Sequence, residues 1–190
     1  MRVLIAEDET IIRLDVRTLL EKAGHEVVAE ARDGEEAVAL AAEHAPDLIV
    51  MDVRMPHMDG IEAARAITDA RPVPIVMLTA YAEQDLVTRA SEAGAFAYLV
   101  KPFREVDLLP ALDTARARFD ELAALREEAA DLAEALASRK AVERAKGILM
   151  KQDGIDEAEA FRRIRAASQK TGRPMRVVAE ALIATLGDGA

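Results

Sequence analysis

Four short groups of residues could act together on one ligand: Glu7-Asp8, Asp52, Thr79 and Lys101-Pro102. Three carboxylates brought together repel by roughly 3 kcal/mol per pair at about 5 Å and an effective dielectric near 20, so they require a cation. An oxygen-only donor set suits a hard divalent ion such as Mg2+. An ammonium and a hydroxyl facing the same cluster imply that an anion also arrives, and a phosphoryl group is the usual one. The chemistry these residue types predict is acceptance of a phosphoryl group by Asp52.

Such a site needs elements that deliver all four groups to one place. The runs Val3 to Ala6, Leu48 to Met51, Ile75 to Leu78 and Tyr98 to Val100 are short, aliphatic-rich and separated by helical stretches, which predicts buried parallel strands. The carboxyl ends of parallel strands share one edge, and each group lies at such an end. Taken singly, each group has an ordinary explanation: Asp8-Glu9-Thr10 could cap the next helix, and Lys-Pro is common at strand exits. Their occurrence in order, each at a strand end, favours one shared site.

Over residues 1–118 the chain resembles a two-component receiver domain, through Glu7-Asp8, the run Asp52-Val53-Arg54-Met55-Pro56-His57-Met58-Asp59-Gly60, Thr79-Ala80 and Lys101-Pro102-Phe103. The resemblance implies an α/β fold with a doubly wound, five-stranded parallel sheet of flavodoxin-like type. It further implies that Asp52 is phosphorylated, that Glu7, Asp8, Asp52 and the Arg54 backbone carbonyl hold Mg2+, and that Thr79 and Lys101 contact the phosphoryl oxygens. Tyr98 is implied as the aromatic that turns inward when Thr79 moves. Many receivers carry Asp at the first acidic position; the longer Glu7 side chain leaves room to reach the ion through water.

Composition narrows the remainder. The chain has 190 residues, which allows one large domain or one ordinary domain plus a small one, and its 51% hydrophobic content is enough for a packed core. No apolar run approaches the ~20 residues of a membrane span, and the first residues begin a strand without a signal peptide, so a cytoplasmic protein is expected. Zero Cys and three scattered His (His25, His44 and His57, read as surface residues) remove disulfides, zinc sites and Cys or His nucleophiles. With 3% aromatics and no Trp, base stacking is a poor main mode of nucleic-acid binding. Charge is uneven: residues 1–137 carry 14 Lys/Arg against 28 Asp/Glu, whereas residues 138–176 carry 11 against 5. A basic segment on an acidic chain points to a polyanionic partner for that segment, with docking of the basic patch on the acidic part of the chain as a compatible alternative.

From Arg104 to Leu136 a long helix is expected, with Ala115, Leu122, Ala129 and Leu136 at heptad spacing and Leu125 and Leu132 between them, a possible short coiled coil over residues 119–137. Packing of this helix on the tail is an equal alternative. Arg118 and Arg139 mark where pairing should stop. Three helices follow: Ser138 to Gln152, one starting at Asp156 with Glu159 three residues on, and one from Pro174 to before Gly187. In the first, Val142, Ala145 and Leu149 form an apolar stripe, while Lys140, Arg144, Gly147 and Lys151 share another face. A glycine inside a helix costs about 1 kcal/mol relative to Ala and requires a reason, either close helix packing or close approach of a phosphate backbone. In the second helix Phe161, Ile164 and Ala167 are expected to face inward, leaving Arg162, Arg163 and Arg165 available.

Residues 135–187 resemble the ANTAR domain, an RNA-binding module of transcription antiterminators, through Val142-Glu143-Arg144-Ala145-Lys146-Gly147-Ile148-Leu149-Met150, Ala160-Phe161 and Val178-Ala179-Glu180. The domain plan is a receiver at 1–118, a helical linker at 119–137 and an RNA-binding domain at 138–187. The resemblance implies a response regulator, phosphorylated by a sensor histidine kinase, that binds tandem RNA hairpins and favours the antiterminated transcript. Lys140, Arg144, Lys146, Gly147, Lys151 and Arg165 are the expected RNA contacts. A homodimer formed on phosphorylation is expected to raise RNA affinity, through a change at the face of the fifth strand and the helix before it. The alternatives are a DNA-binding output, which the mostly apolar last helix disfavours, and a protein-interaction or dimerisation output. An enzymatic output is disfavoured because about 50 residues lack Cys, His and any clustered carboxylate pair.

Overall fold

A computed structural model of the chain describes residues 1–80 and 94–186. The helix expected between the fourth and fifth strands lies outside the described residues. Five strands, β1 (Arg2–Ala6), β2 (Glu26–Ala31), β3 (Leu48–Asp52), β4 (Ile75–Thr79) and β5 (Ala95–Val100), form one parallel sheet in the order β2-β1-β3-β4-β5. The helices are α1 (Thr10–Lys22), α2 (Gly34–His44), α3 (Gly60–Ala70), α4 (Glu105–Asp153), α5 (Glu157–Thr171) and α6 (Met175–Leu186). The chain divides into two compact units, Met1–Ala123 and Ala124–Ala190.

In the first unit the sheet is covered on both faces, which explains why its strands are continuous apolar runs rather than alternating ones. Leu4, Ala6, Ile49, Met51, Ile75 and Met77 pack with Ala37 and Ala41 of α2 and with Ile61, Ala64 and Ile67 of α3. Their neighbours Val3, Ile5, Leu48, Val50, Val76 and Leu78 pack on the other face with Val16 and Leu20 of α1 and Leu108, Leu112 and Ala115 of α4. The register of β5 against β4 shifts between Ile75 and Val76. Phe96 meets Phe119 edge-on, ring centroids 5.5 Å apart, and Arg118 Nη1 donates to the Phe96 carbonyl at 3.4 Å. Arg118 is thus used within this unit.

The connecting helix and the first tail helix, expected as separate elements, are one: α4 runs unbroken from Glu105 to Asp153. Nothing between Leu136 and Ser138, the expected break, stops a helix: Pro110 lies far upstream in the second turn, and Gly147 is the sole glycine of the stretch.

The second unit has a small core of Val142, Ala145 and Leu149 on α4, Ala160 and Ile164 on α5 and Ala179 on α6. Asp156 caps α5, accepting from the Glu159 backbone N–H at 2.7 Å, and Gly172 ends it in the left-handed region. Phe161, expected inward, is exposed; Ala160 takes the inward position beside Ile164. One residue is 100° of helix, enough to move the larger side chain out of the core.

Candidate functional site

The four groups meet at the carboxyl edge of the sheet. Glu7 directly follows β1, Asp52 ends β3, Thr79 ends β4 and Lys101 follows β5. Neighbouring ends are tied by main-chain bonds, Lys101 N–H to the Thr79 carbonyl at 2.8 Å and Val53 N–H to the Leu78 carbonyl at 3.0 Å. Glu7, Asp52 and Thr79 are buried, and the Lys101 side chain is only 13% exposed. The Lys101 ammonium bridges the two carboxylates, 2.7 Å from Glu7 Oε2 and 2.9 Å from Asp52 Oδ2. Lys101-Pro102 is a cis peptide.

The charges do not balance. Glu7, Asp8 and Asp52 offer carboxylate oxygens within 4.8 Å of one another, and one ammonium among them leaves two negative charges over. Burial pushes the Asp52 carboxyl up from its ordinary range, against the pull of Lys101 and of the Val53 and Arg54 backbone N–H groups. The Glu7 carboxyl rises too, chiefly by burial, with Lys101 opposing and the Asp52 charge adding. For Lys101, burial acts to lower the pKa, but pairing with Glu7 and Asp52 outweighs it and holds the ammonium charged. Two residual charges and three clustered carboxylates with oxygen donors are what a small hard dication completes, so the residues fit Mg2+. Arg54 is exposed in the loop after β3.

The helix-capping explanation of Asp8 does not apply. The cap position of α1 is Glu9, with no side-chain cap bond, whereas Asp33 caps α2 and Asp59 caps α3, each accepting a backbone N–H at 2.8 Å. Asp8 is therefore left exposed beside the cluster. Tyr98 is half-buried against the cluster formed with α2 and α3. His57 is exposed, as expected, and its Nδ1 lies 3.1 Å from Asp33 Oδ2.

Gly60 is a part of the site that the motif contains but residue chemistry does not reveal. Its N–H donates to the Val53 carbonyl at 2.9 Å, and a Cβ built on it would lie 1.9 Å from the Asp52 carbonyl oxygen. The start of α3 is thereby held against the main chain of Asp52. Gly60→Ala is expected to destabilise the protein by about 3 kcal/mol, the upper range for overpacking a rigid core, measured by urea denaturation. An unchanged midpoint would show that this contact relaxes freely.

In the second unit the cations fall into two groups. Lys146 is buried, its ammonium 2.8 Å from Glu143 and 2.6 Å from Glu157. It ties α4 to the start of α5, so the expectation that it faces RNA is corrected: a buried, doubly paired ammonium serves packing. Arg163 pairs with Asp153 at 2.6 Å and Arg162 with Glu159 at 2.6 Å. Arg176 pairs with Glu134 and Glu180. Arg176 is the sole cation of α6, and these two carboxylates engage it. Lys140, Arg144, Lys151 and Arg165 are exposed and carry no ion pair among the described residues. Gly147, within the row of the first three, is exposed, and a Cβ there would meet nothing within 4 Å. Close packing inside the chain is therefore not the reason for this glycine.

Residues 3–113 match the response regulator receiver domain family and residues 130–183 the ANTAR domain family. The chain is 53% identical over 186 residues to the transcriptional regulatory protein PdtaR of Mycobacterium tuberculosis, covering 98% of this chain and 91% of that protein. It is 43% identical over 114 residues to the chemotaxis protein CheY of Bacillus subtilis, covering 59% of this chain and 94% of that one. Among solved structures, a chain of the CheX-CheY-BeF3-Mg complex of Borrelia burgdorferi superposes with a TM-score of 0.57 at 28% identity, covering 58% of this chain and 85% of that chain. CheY4 of Vibrio cholerae does so with a TM-score of 0.56 at 37% identity, covering 60% and 97%.

Proposed function

This chain belongs to the two-component response regulators that join a receiver domain to an ANTAR domain, and from that premise we propose that it is a phosphorylation-gated RNA-binding protein acting in transcription antitermination. Asp52 accepts the phosphoryl group from a phosphohistidine of a sensor kinase. A carboxylate oxygen forms the new P–O bond as the N–P bond breaks, and the electron pair leaves on the imidazole nitrogen. Glu7, Asp8, Asp52 and the Arg54 carbonyl would hold Mg2+, and the ion would supply charge neutralisation to the phosphoryl oxygens. A similar structure, the CheX-CheY complex of Borrelia burgdorferi, contains BeF3 and Mg, which supports a site that takes a phosphoryl mimic together with this ion. Lys101, already 2.9 Å from Asp52, moves its pairing to the phosphoryl oxygens. Thr79 follows, and Tyr98 repacks toward the space it leaves.

We place the receiver at 1–118, the linker at 119–137 and the RNA-binding domain at 138–187, in a cytoplasmic protein whose output is binding rather than catalysis. Among the described residues no helix is long and apolar enough to cross a membrane. The observation that carries the RNA assignment is the division among the tail's cations: those that staple the helices are paired, while Lys140, Arg144 and Lys151 are left unpaired around a glycine that no packing requires. That row offers a place for a phosphate backbone to lie close to a helix. Leu125, Leu132 and Leu136 are exposed on the linker at heptad spacing, which supports dimerisation through a second copy of the seam. Two tails on two hairpins then gain affinity from effective concentration without new contacts in either tail.

The test is a mobility-shift titration of an RNA with two tandem hairpins, with and without beryllofluoride, beside a duplex DNA of equal length. Selective RNA binding that tightens on activation is expected. Equal binding of the DNA would favour a promoter-binding output, and no binding in either state would leave a protein-interaction tail.

A further inference from the structure

Arg13 is a charged side chain to which the site as described gives no task, yet it is as buried as Asp52. It lies on the first turn of α1, and its guanidinium turns back onto the loop that the helix follows. Nη1 donates to the Glu7 carbonyl at 2.6 Å, with a longer approach to the Asp8 carbonyl at 3.4 Å. Nε pairs with Glu30 Oε2 on β2 at 3.3 Å. The other oxygen of Glu30 takes Arg17 at 2.7 Å, and Arg17 reaches Glu21 at 2.8 Å. Burying a guanidinium is costly unless its fork is occupied by well-placed acceptors. Here the fork is spent on the main chain of the two residues whose side chains make the acidic pair, and Glu30 braces it from the neighbouring strand.

We propose that Arg13 is a positioning residue for Glu7 and Asp8: it fixes their main chain so that both carboxylates converge with Asp52, and thereby sets the affinity of the cluster for a divalent cation. The inference rests on the Mg2+ assignment made above. It also has a sign that separates it from plain electrostatics. Arg13 carries the same charge as the ion, so if its field were what mattered, removing it would tighten cation binding; if it positions the ligands, removing it loosens binding.

The experiment is Mg2+ titration of the full chain, followed by the amide shifts of Asp8 and Asp52, for wild type, Arg13→Gln, Arg13→Lys and Glu30→Gln, with the amide spectrum checking the fold of each. Arg13→Gln is expected to weaken Mg2+ binding about 10-fold, the lower range for loss of a group that orients metal ligands. Arg13→Lys is expected to recover little of this, since one ammonium cannot replace the fork. Glu30→Gln leaves the guanidinium in place and is expected to weaken binding through looser bracing, by less than Arg13→Gln does. Unchanged or tighter binding in a folded Arg13→Gln overturns the proposal. Should that variant not fold, unchanged binding in Glu30→Gln overturns it instead. Failure of the wild-type chain itself to bind Mg2+ removes the metal assignment, and this inference with it.

Discussion

Asp52→Asn takes up no phosphoryl group, from a sensor kinase or from acetyl phosphate, under conditions that label the wild-type chain; the loss expected on a phosphate-affinity gel is more than about 100-fold, the scale of removing a covalent nucleophile. The amide keeps the shape of the side chain and can still meet Lys101, so the fold should persist. Burial raises the Asp52 and Glu7 carboxyls above their ordinary range, which means that the fold favours their protonated forms. A group whose pKa is higher folded than unfolded contributes stability that is complete below its unfolded pKa and is lost as pH rises through the folded one. In EDTA, therefore, wild type should lose stability relative to Asp52→Asn as pH climbs above the normal carboxylate range, and the variant should be the more stable at neutral pH. Urea midpoints of the two proteins at pH 5 and pH 7 check this. A variant less stable than wild type at both values would mean that the Lys101 pairing outweighs the burial of the charge. Adding Mg2+ should stabilise wild type more than the variant, because a ligand that binds only the folded chain stabilises in proportion to its affinity.

The receiver half was legible because its chemistry and its scaffold share one signal. Strands buried on both faces read as unbroken apolar runs, and the residue at the end of each run must lie at the edge where ligands bind, so the pattern of residues alone puts Glu7, Asp52, Thr79 and Lys101 at one edge. What was not legible depends on what a residue touches. Arg13 reads as one more cation on an amphipathic helix, and only the fold shows its guanidinium on the Glu7 carbonyl. Gly60 reads as a helix-start glycine, and its necessity comes from the Asp52 carbonyl oxygen. Lys146 and Arg144 are equivalent in type and two residues apart, yet Lys146 is enclosed by Glu143 and Glu157 while Arg144 faces outward. Helical periodicity separates faces about 100° apart, but it does not say which face a short neighbouring helix will cover. Phe161 lies outside for the same reason: in a core this small Ala160 suffices, and a one-residue rotation decides which side chain enters.

Neutralising Lys140, Arg144 and Lys151 together should abolish most RNA binding while leaving the tail folded, because none of the three holds an ion pair that the fold uses. With Arg165 they make four exposed cations; if each contacts a phosphate in single-stranded loops, log affinity falls with log salt at a slope near −3, from about −0.7 per contact. The triple Gln variant should retain a slope near −0.7, and measurement of both slopes between low and physiological salt counts the lost contacts directly. A wild-type slope near zero would remove the assignment of these residues to RNA. Gly147 supplies the companion measurement, in which stability and binding must move in opposite directions. With open space around its missing Cβ, Gly147→Ala should stabilise α4 by about 1 kcal/mol from helix propensity alone. If a phosphate backbone lies against that position, the added methyl stands in its way and RNA affinity drops. A variant both more stable and fully RNA-competent would show that nothing approaches the glycine, and that the cations around it bind from farther out than the row on α4 suggests.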